Sequence, residues 1–313
     1  MGAAAPLLLG AAPALARPSG GTPLALVTAD LESSIVAIHL STGRIYRRLE
    51  TLAGPRSIES AGGGDALVAH TELGRVSVVD APTLEVSSVA GSFGEPRYAA
   101  VRADGRLAYV TDSGSREVVV VDVRRRRAIA RAAVGGPARH VSLDRSGTRL
   151  WVVLGTKARE IAVLDVAQPK RPRLVGEVRP PFLAHDVGFT PGGRRVWVTS
   201  GDRGRIAIYD AGTARLVRTL AGDAPSQHVT FLDDHAFVTS GNDAVLRVHA
   251  LDGRLLRSAP VPAGSFNVQQ GWGVILTPSL SQGTLCVLSA LGARMEQLRV
   301  ARSSHDACFV MSA

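Results

Sequence analysis

Arginine and histidine recur along this chain of 313 residues at intervals of about 40 residues, each just before or at the start of a short apolar segment. The planar guanidinium of arginine binds carboxylate or phosphate through two parallel hydrogen bonds. Imidazole is a common ligand of zinc, copper and iron. Both are candidates for a binding site if the fold brings them together. The candidate site residues are Arg56, Arg97, Arg139, His140, His185, His228, Asn267 and His305.

Two of these histidines are followed directly by an aspartate, in His185-Asp186 and His305-Asp306. A carboxylate beside an imidazole supports acid–base chemistry because it raises the pKa of the imidazole. Adjacent residues of a strand point to opposite faces, however, so we expect each aspartate to bond a neighbouring structural unit instead. The chain contains no nucleophile elbow, phosphate-binding loop, dinucleotide fingerprint or HExxH motif.

The spacing of the candidates follows a repeat of short strands. Two or three apolar residues followed by threonine or a small residue occur seven times, with gaps of 41, 42, 42, 46, 40 and 38 residues between copies. Propeller blades of four strands have periods of about 40–50 residues. The first large residues of the seven copies are Leu26, Leu67, Tyr109, Trp151, Trp197, Phe237 and Ile275.

Each copy continues with a polar turn, a second apolar strand, a more polar third strand and a short fourth strand. The fourth strand ends in a hairpin signal such as Asp104-Gly105 or Gly192-Gly193. Only 4% of the residues are aromatic and 33 are glycine, a composition that favours strands and tight turns. The sequence therefore predicts an all-β, seven-bladed β-propeller with four-stranded blades over residues 21–313.

The phase of the repeat predicts how the ring closes. The first copy supplies three strands, from about residue 24 to residue 52, and the chain ends with one lone strand at residues 306–311. One strand and three strands make a complete blade. Pairing the C-terminal strand with the N-terminal three would leave no exposed sheet edge between the termini.

The segment Tyr109-Val110-Thr111-Asp112, followed by VVVVD and then VSLDRSG, resembles the YVTN β-propeller family, with Asp112 where that motif has asparagine. The resemblance covers nearly the whole chain after residue 20 and is best in the third to fifth copies. It implies an exported or envelope-associated seven-bladed propeller. Relatives in that family include lactonase-like enzymes, surface-layer proteins, a periplasmic DNA-binding protein and propellers linked to quinone or haem dehydrogenases.

Residues 1–20 are rich in alanine and leucine and contain Ala14-Leu15-Ala16, a small-x-small cleavage pattern. We predict a signal peptide and an extracytoplasmic protein, in the periplasm, in the cell envelope or secreted; the alternative is a disordered leader. The apolar run is too short for a transmembrane span. Cys286 and Cys308 lie in apolar strands, which favours buried thiols over a disulfide.

The formal net charge of +9 favours anionic partners. Many arginines, such as Arg124 to Arg127, lie in predicted hairpins, where a solvated turn is the alternative explanation. Nucleic-acid binding would require aromatic residues interleaved with the basic ones. Only Tyr98 and Phe266 lie near the candidate residues, so nucleic acid is a possible partner but not the favoured one.

The innermost strands of a propeller face one axis, so we expect the candidates to form a ring at one mouth of the channel. Three interpretations remain open. The side chains bond neighbouring blades and water, or the three arginines bind an anion, or His185 and His305 bind a metal or haem together with His140 or His228. Because three arginines would repel a cation, no metal and no cofactor are predicted. We also expect Arg97, Arg139 and His185 to face one cavity.

The favoured function is a monomeric, non-enzymatic scaffold that binds a small anionic ligand or a protein partner at the channel mouth. One alternative is a lactonase-like hydrolase or an accessory protein of a quinone or haem dehydrogenase. A second alternative is the binding of DNA or another polyanion.

Overall fold

A computed structural model describes residues 21–62, 64–222 and 224–313, and the predicted leader lies outside this part of the chain. The first strands are β1 (Thr22–Ala29), β2 (Ser34–His39) and β3 (Ile45–Glu50). They are followed by β4 (Pro55–Ala61), β5 (Asp65–His70), β6 (Arg75–Asp80) and β7 (Glu85–Ser88). The next four are β8 (Pro96–Val101), β9 (Leu107–Asp112), β10 (Glu117–Asp122) and β11 (Arg127–Ala133). Short 3-10 helices cover Asp30–Glu32 and Thr71–Leu73.

The pattern of four strands continues through the second half of the chain. It comprises β12 (Val141–Leu143), β13 (Arg149–Val153), β14 (Ile161–Asp165) and β15 (Arg173–Val178). Next are β16 (Val187–Phe189), β17 (Arg195–Thr199), β18 (Arg205–Asp210) and β19 (Leu216–Ala221). Then come β20 (Val229–Leu232), β21 (His235–Ser240), β22 (Val245–Ala250) and β23 (Leu255–Pro260). The last are β24 (Gln269–Gly271), β25 (Val274–Ser279), β26 (Thr284–Ser289), β27 (Arg294–Arg299) and β28 (Ala307–Ser312).

These strands form seven antiparallel four-stranded sheets, which confirms the predicted blades. Blade 1 has the order β28-β1-β2-β3, and blades 2 to 7 follow in chain order from β4–β7 to β24–β27. In blade 1, Leu26 of β1 lies opposite Cys308 of β28, and Leu24 lies opposite Val310. The C-terminal strand therefore closes the ring, as its phase predicted.

The blades are held together by apolar clusters in which each blade contributes to the clusters on both of its sides. Alternate residues of a strand point to opposite faces of its sheet, so the continuous apolar runs bury both faces between neighbouring blades. The first large residues of the seven repeats are all buried. Trp151, for example, is fully buried, and replacing a buried tryptophan by alanine costs about 3–5 kcal/mol.

The outermost strands are exposed, as their polar sequences predicted, whereas β4, β8, β12, β16, β20 and β24 line the channel together with Asp306, which precedes β28. Cys286 and Cys308 are buried free thiols. Within the described ranges, no helix has the length and apolar character needed to cross a membrane.

Candidate functional site

The threonine that ends the repeat motif fixes the start of the innermost strands. In blade 5, the Thr199 hydroxyl accepts a hydrogen bond from the N–H of Asp186 at 3.1 Å and donates one to the carbonyl of Gln227 in blade 6. Thr111 of blade 3 and Thr239 of blade 6 make the same two kinds of contact. The motif therefore sets the register of the mouth residues in its own blade and in the next.

This register places the mouth residues in two layers. The outer layer consists of Arg56, Arg97, Arg139, His185, Gln227, Phe266 and His305, and the inner layer of Ser57, Tyr98, His140, Asp186, His228, Asn267 and Asp306. Apart from Ser57, the inner-layer residues line the channel cavity, whereas the outer-layer residues do not. We expected one ring, but successive side chains of extended backbone point in different directions.

Three histidines from blades 4, 5 and 6 meet at this mouth. One ring nitrogen from each of His140, His185 and His228 lies within 4.8 Å of the others. The ring centroids are 4.7 Å apart for His140 and His185, 4.6 Å for His140 and His228, and 5.1 Å for His185 and His228. His185 comes from the outer layer and the other two from the inner layer. The three imidazoles, called the histidine trio below, form a compact donor set.

Two members of the trio are oriented through Nδ1. The Nδ1 atom of His185 lies 3.1 Å from the carbonyl oxygen of Thr156, which can only accept, so Nδ1 carries the proton and Nε2 has a free lone pair. The Nδ1 atom of His228 lies 3.5 Å from Oδ2 of Asp186. Metal-binding histidines usually make such a contact through the second ring nitrogen.

The imidazole of His140 lies between those of its two neighbours. Its residue is 2% exposed, and neither ring nitrogen has a hydrogen-bond partner among the described residues. Burial, together with the nearby His228 and His185, holds the pKa of His140 well below its usual value. Burial and His228 also lower the pKa of His185 to about 4. Both imidazoles are therefore neutral at pH 7, the form that binds metals.

Tyr98 and Arg139 lie on one side of the trio. The ring of Tyr98 packs against His140 at 4.2 Å between centroids, and the Arg139 guanidinium lies 6.0 Å from the Tyr98 ring. Burial raises the pKa of Tyr98 to about 12, so its hydroxyl remains a hydrogen-bond donor. The buried Nε of Arg139 has no hydrogen-bond partner within the described ranges. Burial lowers the pKa of Arg139, and Tyr98 partly offsets that effect.

The three arginines of the predicted anion site differ in their surroundings. Arg97 forms an ion pair with Glu95 at 2.8 Å and a hydrogen bond with the hydroxyl of Ser113 at 3.3 Å. No carboxylate of the described residues lies within 4.0 Å of the guanidinium of Arg56 or Arg139. The expectation that Arg97, Arg139 and His185 face one cavity stays a prediction, and none of the three side chains lines the channel cavity described below.

His305 lies apart from the trio although it follows the same repeat position as His185. Its carbonyl accepts a hydrogen bond from Nδ2 of Asn267 at 2.8 Å, and its Nδ1 lies 3.4 Å from the same amide nitrogen. Burial and the charge of Arg56 lower the pKa of His305 to about 3. His305 and Asn267 are therefore neighbours at the mouth, but they are not part of the histidine trio.

A cavity of about 540 Å³ runs along the innermost strands next to the trio. Its carboxylates are Glu59, Asp186 and Asp306. Both aspartates bond the next blade, as predicted: Oδ2 of Asp186 accepts from the N–H of Val229 at 3.0 Å, and Oδ2 of Asp306 from Ile58 at 3.1 Å. Burial raises the pKa of Asp306 well above its usual value.

Glu59 is the least constrained carboxylate of the cavity. Burial raises the pKa of Glu59 to about 7. The hydrogen bond that the amide of Gln269 donates to its carboxyl at 3.3 Å lowers the pKa and offsets part of this effect. Sequence reasoning missed Glu59 because it lies three residues beyond Arg56, inside an innermost strand. Alternation along that strand was the available signal, since Ser57 and Glu59 share one face.

No protein-family model matches the chain. A segment of 75 residues is 35% identical to the protein NEDD1 of Bos taurus, but this match covers 24% of the chain and only 11% of NEDD1. The chain therefore spans a small part of that relative's length.

Several solved structures share the architecture at low identity. A proposed 6-phosphogluconolactonase of Bacteroides fragilis has a TM-score of 0.74 at 13% identity, with 94% of this chain and 100% of that chain covered. The dihydro-heme d1 dehydrogenase NirN has a TM-score of 0.64 at 13% identity, covering 92% and 76%. Hydrazine synthase of Kuenenia stuttgartiensis has a TM-score of 0.67 at 16% identity, covering 82% and 89%. Together with the closed ring of seven sheets, these likenesses identify the chain as a seven-bladed β-propeller.

Proposed function

We propose that this propeller is a binding protein that holds a divalent transition-metal ion between His140, His185 and His228. The observation that carries the proposal is the pair of buried ring nitrogens of His140, which make no hydrogen bond of normal geometry with the described residues. A buried polar group without a partner costs about 1–3 kcal/mol. An ion bound to one of these nitrogens would remove part of that cost.

The donor set fits zinc or copper. Three imidazole nitrogens form the protein part of many zinc sites, with metal–nitrogen distances of about 2.0–2.1 Å. The nitrogens of the trio lie within 4.8 Å of one another, so small side-chain rotations would bring them to one ion. The contacts from Thr156 and Asp186 already orient two of the rings. Three protein ligands leave the ion with a position for a further ligand.

A binding role fits the carboxylates around the ion better than catalysis does. A general base must be free to take a proton in the reacting complex. Asp186 accepts backbone N–H groups at both oxygens, from Val187 at 2.7 Å and from Val229 at 3.0 Å. The carboxylate nearest the trio is therefore engaged in holding two blades together.

A hydrolase is the second candidate, and Glu59 is the observation that favours it. Its carboxyl lines the same cavity and has a pKa of about 7, a value suited to proton transfer near neutral pH. The similarity in fold to a proposed lactonase supports a lactone as the test substrate. Metal-dependent lactone hydrolysis that disappears in Glu59→Gln would favour this candidate over the binding role.

The cellular setting is part of the proposal. The cleavage pattern at Ala14-Leu15-Ala16 supports export to the periplasm, the cell envelope or the exterior. The similarity in fold to NirN and hydrazine synthase supports a place beside redox enzymes, as an accessory that carries a ligand. DNA binding has less support, because Tyr98 packs in the channel and is not available for base stacking. Cell fractionation with a C-terminal tag tests the location.

Metal content tests the central claim. The purified protein should retain or take up one zinc or copper ion per chain, measured by elemental mass spectrometry and by isothermal titration calorimetry. His140→Ala should abolish this binding. The matched control is His39→Ala. His39 is not part of the trio, and its Nδ1 lies 2.9 Å from the hydroxyl of Ser41 in an exposed part of blade 1. The proposal fails if wild-type protein takes up no ion, or if His140→Ala binds it as well as wild type.

A further inference from the structure

Asp186 supplies one carboxylate beside the trio, 3.5 Å from Nδ1 of His228. Arg139 lies in the outer layer next to His140, Arg56 lies in the same layer next to His305, and neither guanidinium has a carboxylate of the described residues within 4.0 Å. Adding a divalent cation to a mouth with these two guanidiniums and one such carboxylate leaves an excess of positive charge unless an anion compensates it. The imidazole nitrogens of the mouth therefore favour a cation, and the positive charge that results favours an anion beside it.

We propose that the mouth binds a small oxyanion, a carboxylate or a phosphate, that bridges the metal of the histidine trio and the guanidinium of Arg139. This proposal rests on the metal site proposed above and names the further ligand of that ion. An oxygen of the anion would take the position left by three protein ligands. A second oxygen would accept hydrogen bonds from the guanidinium, which is suited to two parallel bonds with one anion.

The contacts around Arg139 support this role. Arg139 directly precedes His140, and its guanidinium lies over Tyr98, whose ring packs on His140. Its buried Nε has no hydrogen-bond partner within the described ranges, so a donor is left for a ligand. The Tyr98 phenol adds a second donor to the same corner. Arg97, by contrast, already has Glu95 as its anionic partner at 2.8 Å.

The cavity that adjoins the trio at His140 and His228 has room for a small molecule. The adjoining cavity of about 540 Å³ lies within the range of about 300–1,000 Å³ that is typical of small-molecule sites. Two or more oxygens are needed to bridge the ion and the guanidinium. A halide, with a single contact atom, should therefore bind more weakly than phosphate or a dicarboxylate.

Titration of protein loaded with one zinc ion, using inorganic phosphate in one arm and malonate in the other, tests the bridge. At least one of the two should bind about tenfold or more tightly to loaded wild type than to metal-free protein or to loaded Arg139→Gln. Arg139→Lys should give an intermediate affinity, because it keeps the charge but not the fork of donors. The arm with the tighter binding assigns the anion as a phosphate or a carboxylate. The matched control Arg97→Gln should bind like wild type.

Zinc affinity, measured separately by competition with a chromophoric chelator, keeps the two proposals apart. Arg139→Gln should bind zinc at least as tightly as wild type, which also shows that the variant is folded. If neither anion distinguishes loaded from metal-free protein, or if Arg139→Gln binds both anions as wild type does, the bridge is refuted while the metal site stands. If wild type takes up no zinc, the metal site itself is refuted, and the bridge with it.

Discussion

Blades 5 and 1 carry the same dipeptide at the same register, His185-Asp186 in one and His305-Asp306 in the other. In both blades the aspartate accepts the N–H of a residue in the next blade, and in both the histidine lies in the outer layer. The histidines nevertheless have different neighbours. His185 meets two other imidazoles, whereas His305 meets the amide of Asn267.

The difference shows that a site in a propeller belongs to adjacent blades and not to a motif. Blades 4 and 6 supply His140 and His228 on either side of His185. Blades 7 and 2 supply Asn267 and Arg56 as the neighbours of His305. An identical dipeptide can therefore take part in a donor cluster on one side of the channel and in a blade contact on the other.

The largest effect should come from removing the last eight residues, which takes away β28 and Asp306 from blade 1. Blade 1 is assembled from both ends of the chain, so the loss would expose β1 and the apolar faces that Cys308 and Val310 cover. We expect no cooperative thermal unfolding transition. Removal of Ala313 alone is the control, and a truncated protein with unchanged melting behaviour would contradict the importance of closure.

The second comparison replaces each outer-layer histidine by alanine. His185→Ala should weaken zinc binding by at least about 100-fold, because losing a ligand costs more than losing an outer-shell partner, whose loss costs about 10–100-fold. His305→Ala should leave zinc affinity within a few fold of wild type. Calorimetric titration measures both. Equal losses in the two variants would mean that the ion does not lie in the histidine trio.

The third comparison changes the two aspartates to asparagine. Asp186→Asn should weaken zinc binding by about 10–100-fold, because Asp186 is the carboxylate 3.5 Å from Nδ1 of His228. Asp306→Asn should not change zinc affinity, since among the described residues its side-chain oxygens accept the backbone N–H groups of Ile58 and Ala307 and bond no imidazole of the trio. Chelator competition measures both affinities. A larger loss in Asp306→Asn would reverse the assignment of roles.

The smallest effect concerns Glu59, on the side of blades 1 and 2. Its pKa is raised from 4.5 to about 7, so between these values the folded state holds a proton that the unfolded state has released. Its contribution to stability therefore falls as the pH rises from about 4.5 to about 7. Glu59→Gln should match wild type near pH 4 and become the more stable protein at pH 8. The expected difference is about 1 kcal/mol or more, which is less than the full pKa shift would give, because the Glu59 carboxyl faces the cavity.

Chemical denaturation at the two pH values measures this difference. Glu85→Gln is a suitable control because Glu85 is an exposed residue of the outermost strand of blade 2. A stability difference that is independent of pH would show that the Glu59 carboxyl is not buried in its charged form.

The repeat carried almost all of the information about the fold. Blade number, closure by the last strand and the buried large residues from Leu26 to Ile275 follow from spacing and alternation. The two layers at the mouth did not follow from the repeat. The repeat gives the position of a residue along the channel axis, but the direction of its side chain changes from one residue to the next. The ion pair of Arg97 with Glu95 could not be predicted either, because Glu95 lies in the loop before β8, where side-chain directions follow no period.

The histidine trio was also only partly predictable. All its members were among the candidates, but sequence reasoning considered His185 together with His305. Histidines at the same repeat position come together only when they belong to adjacent blades. Blades 4, 5 and 6 carry His140, His185 and His228, whereas His305 belongs to blade 1. The orphaned ring nitrogens of His140 could not be predicted, because hydrogen-bond satisfaction depends on packing.

Closure by β28 also orders events during synthesis. A ribosome adds about 5–20 residues per second, and N-terminal parts of a chain generally fold first. Residues 139–228 emerge well before residues 307–312, so the blades that carry the histidine trio could form while β1 still lacks its partner strand. For some seconds β1 then offers an open sheet edge, which is a template for pairing with another chain. Chaperone demand should therefore fall once β28 has paired with β1.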